Sequence, residues 1–205
     1  MCNATPTMAS DGQRVFAFFS SNDLICLDLA GNLQWYRGFG HEFPNASNSL
    51  GMSSSPVIVG NTLVVQIESD AEAFACGVDV ESGATIWQLD RPHAANWTSP
   101  SILPATDQNP ALVLLQSSKG LAAVDPISGT IVWNFDQGAS TIPSSTVDSG
   151  SIVIPSNGLT AIRPAAGNTF EQLWNSSSIS PGTSSPVVVD GLAFVLNSAG
   201  VLTAG

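Results

Sequence analysis

The sequence is poor in charge, and above all in positive charge. Its 205 residues include one lysine, Lys119, and four arginines against 16 acidic residues, for a formal net charge of −11. Such a chain would be repelled by a phosphate backbone or an anionic membrane surface. Nucleic acid and acidic lipid are therefore poor candidate partners, and the excess of acidic residues is typical of a surface that keeps a protein soluble.

Cysteine is scarce and widely spaced. Cys2, Cys26 and Cys76 form no CxxC or adjacent pair, which argues against a disulfide framework or a zinc site. Cys26 and Cys76 lie inside apolar patterns of strand length. We therefore expect two small buried side chains that stay reduced.

Long apolar runs, helical patterns and catalytic motifs are missing as well. No stretch reaches the roughly 18 apolar residues of a membrane-spanning helix, and no segment shows the helical period of 3.6 residues. His41 and His93 are isolated, and there is no P-loop, GxSxG or GxGxxG motif. We therefore assign no catalytic, cofactor-binding or metal-ligating residue. Glu68, Asp70 and Glu72 are interpreted as a solvated loop, and Trp97 as a packed loop aromatic or a residue that lines one face.

A pattern that ends in tryptophan recurs four times, at intervals of 41 to 52 residues. In three copies an aspartate precedes a glycine and then a tryptophan: Asp28, Gly31 and Trp35; Asp79, Gly83 and Trp87; Asp125, Gly129 and Trp133. The fourth copy is degenerate, because Gly167 and Trp174 follow Arg163 where the other copies have aspartate. A second marker, small polar residues and proline before an apolar run, recurs in phase at 54–60, 98–103 and 184–191, more weakly at 143–150 and near residues 4–8. Two markers in phase indicate a structural repeat.

One unit predicts four short strands. Pro56–Val59 begins with proline, which the first residue of a strand tolerates, and Gly60-Asn61 is a hairpin turn signal. Thr62–Glu68, Phe74–Asp79 and Ala84–Leu89 follow, each bounded by turn residues. Four antiparallel strands every 40 to 50 residues are typical of a β-propeller blade.

The predicted fold is a single all-β domain of about four and a half four-stranded blades, an open arc rather than a closed ring. The units are residues 5–40, 52–91, 97–137 and 142–176, with a partial unit at 183–205. We expect the natural chain to be longer at both ends and its missing blades to cover apolar edges that would otherwise favour self-association. The first residues lack the basic start and apolar segment of a signal peptide, so we expect that signal to lie upstream.

From about Thr5 to Gly205 the units resemble pyrroloquinoline-quinone (PQQ) repeats. In that family the late tryptophan packs between neighbouring blades, which implies blade-seam positions for Trp35, Trp87, Trp133 and Trp174. The same resemblance implies structural turns at Asp28–Gly31, Asp79–Gly83 and Asp125–Gly129. A short carboxylate readily accepts N–H groups of its own turn, whereas calcium requires six to eight clustered oxygens.

The resemblance leaves two functions open. The first is a non-enzymatic propeller similar to the assembly lipoprotein BamB, a periplasmic, cell-envelope or secreted scaffold that binds a protein, peptide or glycan. The second is a fragment of a PQQ-dependent dehydrogenase that oxidises an alcohol or sugar. Those enzymes use a Cys-Cys disulfide, a calcium ion held by Glu and Asn, and a catalytic Asp. We find no Cys-Cys and can match no such set to positions of this chain, so the first interpretation is favoured.

Overall fold

The computed structural model describes residues 5–48, 50–107 and 109–205, and within them the chain is almost entirely β-structure. Five antiparallel sheets follow one another along the chain. The prediction of an all-β chain built from four-stranded blades is confirmed. In the described residues the one α-helical element is a single turn, α1 (Phe39–Glu42), which the sequence pattern did not predict. Contacts between Cα atoms divide the chain into two compact units.

The first unit holds the described residues up to Pro100 and the segment Pro126–Gly129. It contains two sheets in which each strand pairs with its neighbours in sequence. The first sheet comprises β1 (Ala9–Ser10), β2 (Arg14–Phe18), β3 (Asp23–Asp28) and β4 (Leu33–Gly38). The second comprises β5 (Val57–Val59), β6 (Thr62–Glu68), β7 (Ala73–Asp79) and β8 (Thr85–Asp90). The strand boundaries predicted for the second sheet are confirmed to within one residue.

The second unit holds the described residues of Ser101–Asp125 and Thr130–Gly205 in three sheets. The third sheet comprises β9 (Ser101–Leu103), β10 (Leu112–Ser117), β11 (Gly120–Val124) and β12 (Ile131–Phe135). The fourth comprises β13 (Thr146–Asp148), β14 (Ser151–Ile154), β15 (Leu159–Ala165) and β16 (Thr169–Ser176). The fifth comprises β17 (Val187–Val189), β18 (Leu192–Leu196) and β19 (Leu202–Ala204).

Apolar side chains form a core between successive sheets of each unit. In the first unit, Phe16 and Leu24 of the first sheet join Leu63 and Phe74 of the second. Cys26 and Cys76 lie in the same core as free, buried thiols, and burial raises the pKa of Cys76 to about 12. Both thiols are therefore small apolar core groups rather than reactive ones; Cys2 lies outside the described residues.

The four repeat tryptophans share one position in their sheets. Each lies on the fourth strand, directly opposite a small residue of the third strand and next to a β-bulge: Trp35 opposite Cys26, Trp87 opposite Gly77, Trp133 opposite Ala123 and Trp174 opposite Ala161. A larger side chain would collide with the indole, since even a Cβ atom at Gly77 would overlap Trp87. The bulge adds local twist and re-aims the indole.

The serine of the recurring Ser-Pro marker joins one copy of the marker to the next. The backbone N–H of Thr7 donates to Ser55 Oγ (2.9 Å), and the N–H of Ser55 donates to Ser99 Oγ (2.9 Å). In the second unit the N–H of Ser144 donates to Ser185 Oγ at the same distance of 2.9 Å. The marker therefore connects neighbouring copies through hydrogen bonds in both units.

Candidate functional site

The aspartates of the first two turns bind their own backbone. Asp28 Oδ1 accepts hydrogen bonds from the N–H groups of Ala30 (2.9 Å) and Asn32 (2.8 Å). Asp79 Oδ1 accepts them from the N–H and the hydroxyl of Ser82 (2.8 and 2.7 Å). Donation from the Asn32 and Ser82 side chains lowers the pKa of the two aspartates. These carboxylates are oriented toward their own turns.

Trp35 contacts the turn that contains Gly83. Its Nε1 donates to the carbonyl oxygen of Val80 (3.0 Å), and its ring lies next to the glycine. A Cβ atom added at Gly83 would lie 2.8 Å from Trp35 Cδ2, and the residue has a φ of +72°. Glycine is therefore required at this turn for two reasons, the backbone angle and the proximity of the indole.

Trp87 makes the equivalent contacts with Pro126 and Gly129. Its Nε1 donates to the Pro126 carbonyl oxygen (2.8 Å), and a Cβ atom at Gly129 would lie 2.6 Å from its Cδ2. The side chain is 8% exposed. A large aromatic ring with its one polar atom satisfied is well suited to a seam.

Trp133 has different surroundings, although it is equally buried at 7% exposure. Its Nε1 makes no hydrogen bond to any described residue, and no atom lies within 4 Å of a Cβ built on Gly167. Its ring instead contacts Phe170, with 5.8 Å between centroids. The cause is the degenerate fourth copy, in which β15 and β16 pair as far as Ala165 and Thr169 and replace the aspartate turn by a longer hairpin. Trp174 is 37% exposed.

A cavity of about 350 Å³ lies beside Trp133, between the third and fourth sheets of the second unit. Its walls are mainly apolar and include Leu103, Leu112, Val132, Pro104, Pro110 and Pro164. Six polar or charged residues complete the lining: Thr106, Asn109, Asp125, Ser149, Arg163 and Asn168. A mostly apolar pocket with a few polar groups is the usual form of a ligand site.

Arg163 differs from the other arginines. Arg14, Arg37 and Arg91 form ion pairs with Asp11, Glu42 and Glu68. Among the described residues Arg163 has no acidic partner within 4.0 Å, and its Nη2 donates to Ser151 Oγ at 3.2 Å. Arg163 is exposed and lines both this cavity and a second one of about 310 Å³ near Trp174, which Ser151 also lines. The hydrogen bond to Ser151 places the Arg163 guanidinium beside the second cavity.

A buried polar cluster in the first unit joins β6 to the segment after β8. Arg91 Nε donates to Glu68 Oε1 (2.7 Å) and Asn96 Nδ2 donates to Glu68 Oε2 (2.8 Å). The Glu68 main-chain oxygen accepts from Asn48 Nδ2 (2.8 Å), which ties in the segment before β5. Burial raises the pKa of Glu68, and the attraction of Arg91 opposes this only in part. The cluster fixes two connecting segments to one strand.

This cluster corrects one interpretation of the sequence. The sequence predicts Glu68 as the end of a strand, which is confirmed, but the expectation that it is solvated together with Asp70 and Glu72 is wrong, because Glu68 is 1% exposed. The partners Arg91 and Asn96 are 23 and 28 residues away, so no local pattern relates them to it.

Trp97, a few residues further on, is a half-buried loop aromatic whose Nε1 donates to the Gly51 carbonyl oxygen (2.9 Å).

The calcium ion of PQQ enzymes is held by Glu and Asn, the residue types of the Glu68–Asn96 pair. Both carboxylate oxygens of Glu68 already accept hydrogen bonds from protein donors, and Asn96 Oδ1 accepts from the N–H and the hydroxyl of Thr98. In the part of the chain that the structure describes, no three His, Cys, Asp or Glu side chains are grouped for a metal ion. The Glu68–Asn96 pair therefore does not fit such a site.

Comparison with known proteins gives one family and several similar structures. A family model described as outer membrane protein assembly factor BamB matches residues 2–204. The crystal structure of BamB from Moraxella catarrhalis is 21% identical with a TM-score of 0.72, covering 98% of this chain and 57% of that one. No curated protein sequence matches significantly.

Two further structures show how little the fold alone says about function. A europium-containing methanol dehydrogenase is 11% identical with a TM-score of 0.66, over 93% of this chain and 51% of that one. The computationally designed protein Ika8 is also 11% identical, with a TM-score of 0.68, over 96% of this chain and 56% of that one. The chain spans about half the length of the solved structures it matches.

Within the described residues, no helix has the length and apolar character that a membrane-spanning helix needs.

Proposed function

Because the chain belongs to the family of the outer membrane protein assembly factor BamB, we propose that it is a non-enzymatic propeller scaffold that binds a partner in the cell envelope. The partner is a protein, a peptide or a glycan. The family supports a periplasmic or envelope location.

The observation that carries this proposal is the buried cluster around Glu68. It holds Arg91 and Asn96 on one connecting segment and Asn48 on another, at the end of the second sheet where β6 and β8 finish. Connecting segments that are already ordered lose little conformational freedom when a partner binds. The ionisable groups of the cluster satisfy one another, which suits a structural rather than a catalytic role.

Photo-crosslinking in cells tests the scaffold. A photoreactive amino acid at His93, an exposed residue of the segment after β8, is expected to give a discrete adduct with an envelope component. The same group at Gln13, in the turn at the opposite end of the first sheet, is the matched control and is expected to give none. Equal, diffuse labelling from both positions would contradict a preformed binding face.

The alternative, a quinoprotein dehydrogenase fragment, has its own test. The purified chain with added PQQ and Ca²⁺ is expected to reduce no dye with alcohols or sugars, and calorimetry is expected to show no stoichiometric quinone binding. PQQ binding with micromolar or better affinity would favour the dehydrogenase interpretation over the scaffold.

A further inference from the structure

We propose that the second cavity, near Trp174, binds a small monocarboxylate with a compact aromatic body such as a phenyl ring. This cavity of about 310 Å³ lies between the fourth and fifth sheets, both within the second unit. The site goes beyond the scaffold function and does not depend on it. Three observations carry the proposal: the position of the Arg163 guanidinium, the apolar walls and the exposed ring of Trp174.

Strand alternation and a hydrogen bond both place Arg163 on the face of the fourth sheet toward the fifth. Ile162 belongs to the core shared with the third sheet, whereas Ala161 belongs to the core shared with the fifth. Successive side chains of a strand point to opposite faces, so Arg163 shares the face of Ala161. Its Nη2 donates to Ser151 Oγ (3.2 Å), and Ser151 lines the second cavity but not the first. The guanidinium therefore lies at the second cavity.

This guanidinium can anchor a carboxylate. It is exposed, and among the described residues Ser151 is the one hydrogen-bond partner of its side chain. A guanidinium carries a planar set of N–H donors, so donors remain for two parallel hydrogen bonds to a carboxylate.

Two acidic residues limit the charge of the ligand. Asp148 lines the cavity, and Glu171 is the cross-strand neighbour of Arg163. Neither carboxylate lies within 4.0 Å of the guanidinium, which leaves the guanidinium without an ion pair among the described residues. The two acids would repel a second negative charge on a ligand, which is why we specify a monocarboxylate.

The walls of the cavity are apolar and come from both sheets. Val153 and Ala161 of the fourth sheet and Val188 and Ala193 of the fifth line it. The same four residues belong to, or pack against, the core between these sheets, so their side chains are directed into the seam. The volume lies at the small end of known ligand pockets, which span roughly 300–1,000 Å³. A single ring can fill such a space, whereas a folded partner cannot enter it.

Trp174 presents an aromatic surface to the same site. It lies directly opposite Ala161 in the sheet, so its side chain shares the face of Arg163. Trp174 is 37% exposed and its Nε1 makes no hydrogen bond to a described residue, whereas Trp87 is 8% exposed and bonded to Pro126. A planar ring can pack against the exposed indole in an offset or edge-to-face arrangement. An aromatic body is therefore the better fit to this cavity than a linear chain.

Titration of the whole chain with 3-phenylpropionate tests the proposal, with calorimetry or ligand-observed NMR as the readout. We expect saturable binding at one site. The neutral amide 3-phenylpropanamide, which lacks the charge, and acetate, which lacks the ring, should each bind about tenfold more weakly or worse. Phenylsuccinate, which adds a second carboxylate, should also bind more weakly. Equal binding of acid and amide, no binding of the acid, or tighter binding of phenylsuccinate would overturn the proposal.

Four variants distinguish the two cavities that Arg163 lines. Arg163→Gln should weaken binding about tenfold by removing the charged donor, and Val188→Phe should abolish it by filling the second cavity. Lys119→Gln removes the other positive charge of the second unit, and Val132→Ala alters only the first cavity. Both of these control variants should bind normally.

Thermal unfolding checks that each variant folds, with Val188→Leu as the substitute if Val188→Phe does not. Loss of binding in Val132→Ala together with retention in Val188→Phe would assign the ligand to the first cavity and refute the proposal. Normal binding by Arg163→Gln would exclude the guanidinium as the anchor.

Discussion

The two units are built from the same repeat, but the repeat tryptophans make different contacts in each unit. In the first, Trp35 and Trp87 each lie against a glycine turn with Nε1 bonded to a carbonyl, and all three ion pairs of the described residues occur there. In the second, Trp133 contacts Phe170 of a longer hairpin and lies beside an open cavity. The difference in turn sequence therefore goes with a difference in packing: the tryptophan is either bonded to a glycine turn or lies beside a cavity.

The largest expected effect comes from removing a docked tryptophan. Trp87→Ala should lower the free energy of unfolding by about 4–5 kcal/mol, because a buried ring and its hydrogen bond are both lost. Trp133→Ala should cost about 3–4 kcal/mol, since its Nε1 has no hydrogen bond to a described residue that could be lost. Denaturant unfolding measures both. The half-buried Trp97 is the control: Trp97→Ala should cost much less, and equal midpoints for all three variants would contradict the repeat register.

The next effect comes from breaking the buried ion pair of the first unit. Arg91→Met should lower the free energy of unfolding by about 3–4 kcal/mol, because Glu68 is left buried with Asn96 as its remaining side-chain donor. The double variant Glu68→Gln with Arg91→Met should recover part of this loss by removing the charge. Chemical denaturation of the three proteins gives the comparison, and a double variant as unstable as Arg91→Met would show that charge burial is not the cause.

Glycine substitutions separate the two requirements of the turn. Gly83→Ala should cost about 2–3 kcal/mol, since it adds a Cβ atom against Trp35 to the strain of a positive φ. Gly31 also has a positive φ, +85°, but no atom lies within 4 Å of its added Cβ, so Gly31→Ala should cost only about 1 kcal/mol. Thermal unfolding of the two variants and the wild type measures both losses of stability. Equal losses would mean that the backbone angle, and not the indole, requires glycine at Gly83.

The smallest expected effect is a pH dependence due to Glu68. Burial raises the pKa of this carboxyl in the folded chain above its value in the unfolded chain. The folded state therefore binds the proton more tightly, and the resulting stabilisation is full below the unfolded pKa and is lost as pH rises through the folded pKa. Unfolding measured from pH 4 upward should show this decline in the wild type and less of it in Glu68→Gln. Parallel curves for the two proteins would exclude Glu68 as the titrating group.

Much of the fold follows from local sequence. Strand-length apolar runs, proline at strand starts and glycine turns depend on neighbouring residues, so the second sheet could be predicted to within one residue at each strand end. The phase of the two repeat markers predicts successive blades, which the five sheets confirm. The seam positions of the tryptophans and the roles of the turn residues, by contrast, stay predictions that the variants above test.

The sequence by itself determined the all-β repeat, because the period of a strand and the angle of a turn are local properties of the chain. Only the tertiary structure decided that Glu68 is buried, since Arg91 and Asn96 reach it from a distant segment. It also decided that the degenerate fourth copy lengthens a hairpin and leaves Trp133 beside a cavity. Burial and cavities depend on contacts between segments that are distant in the sequence, and residue spacing along one segment does not predict those contacts.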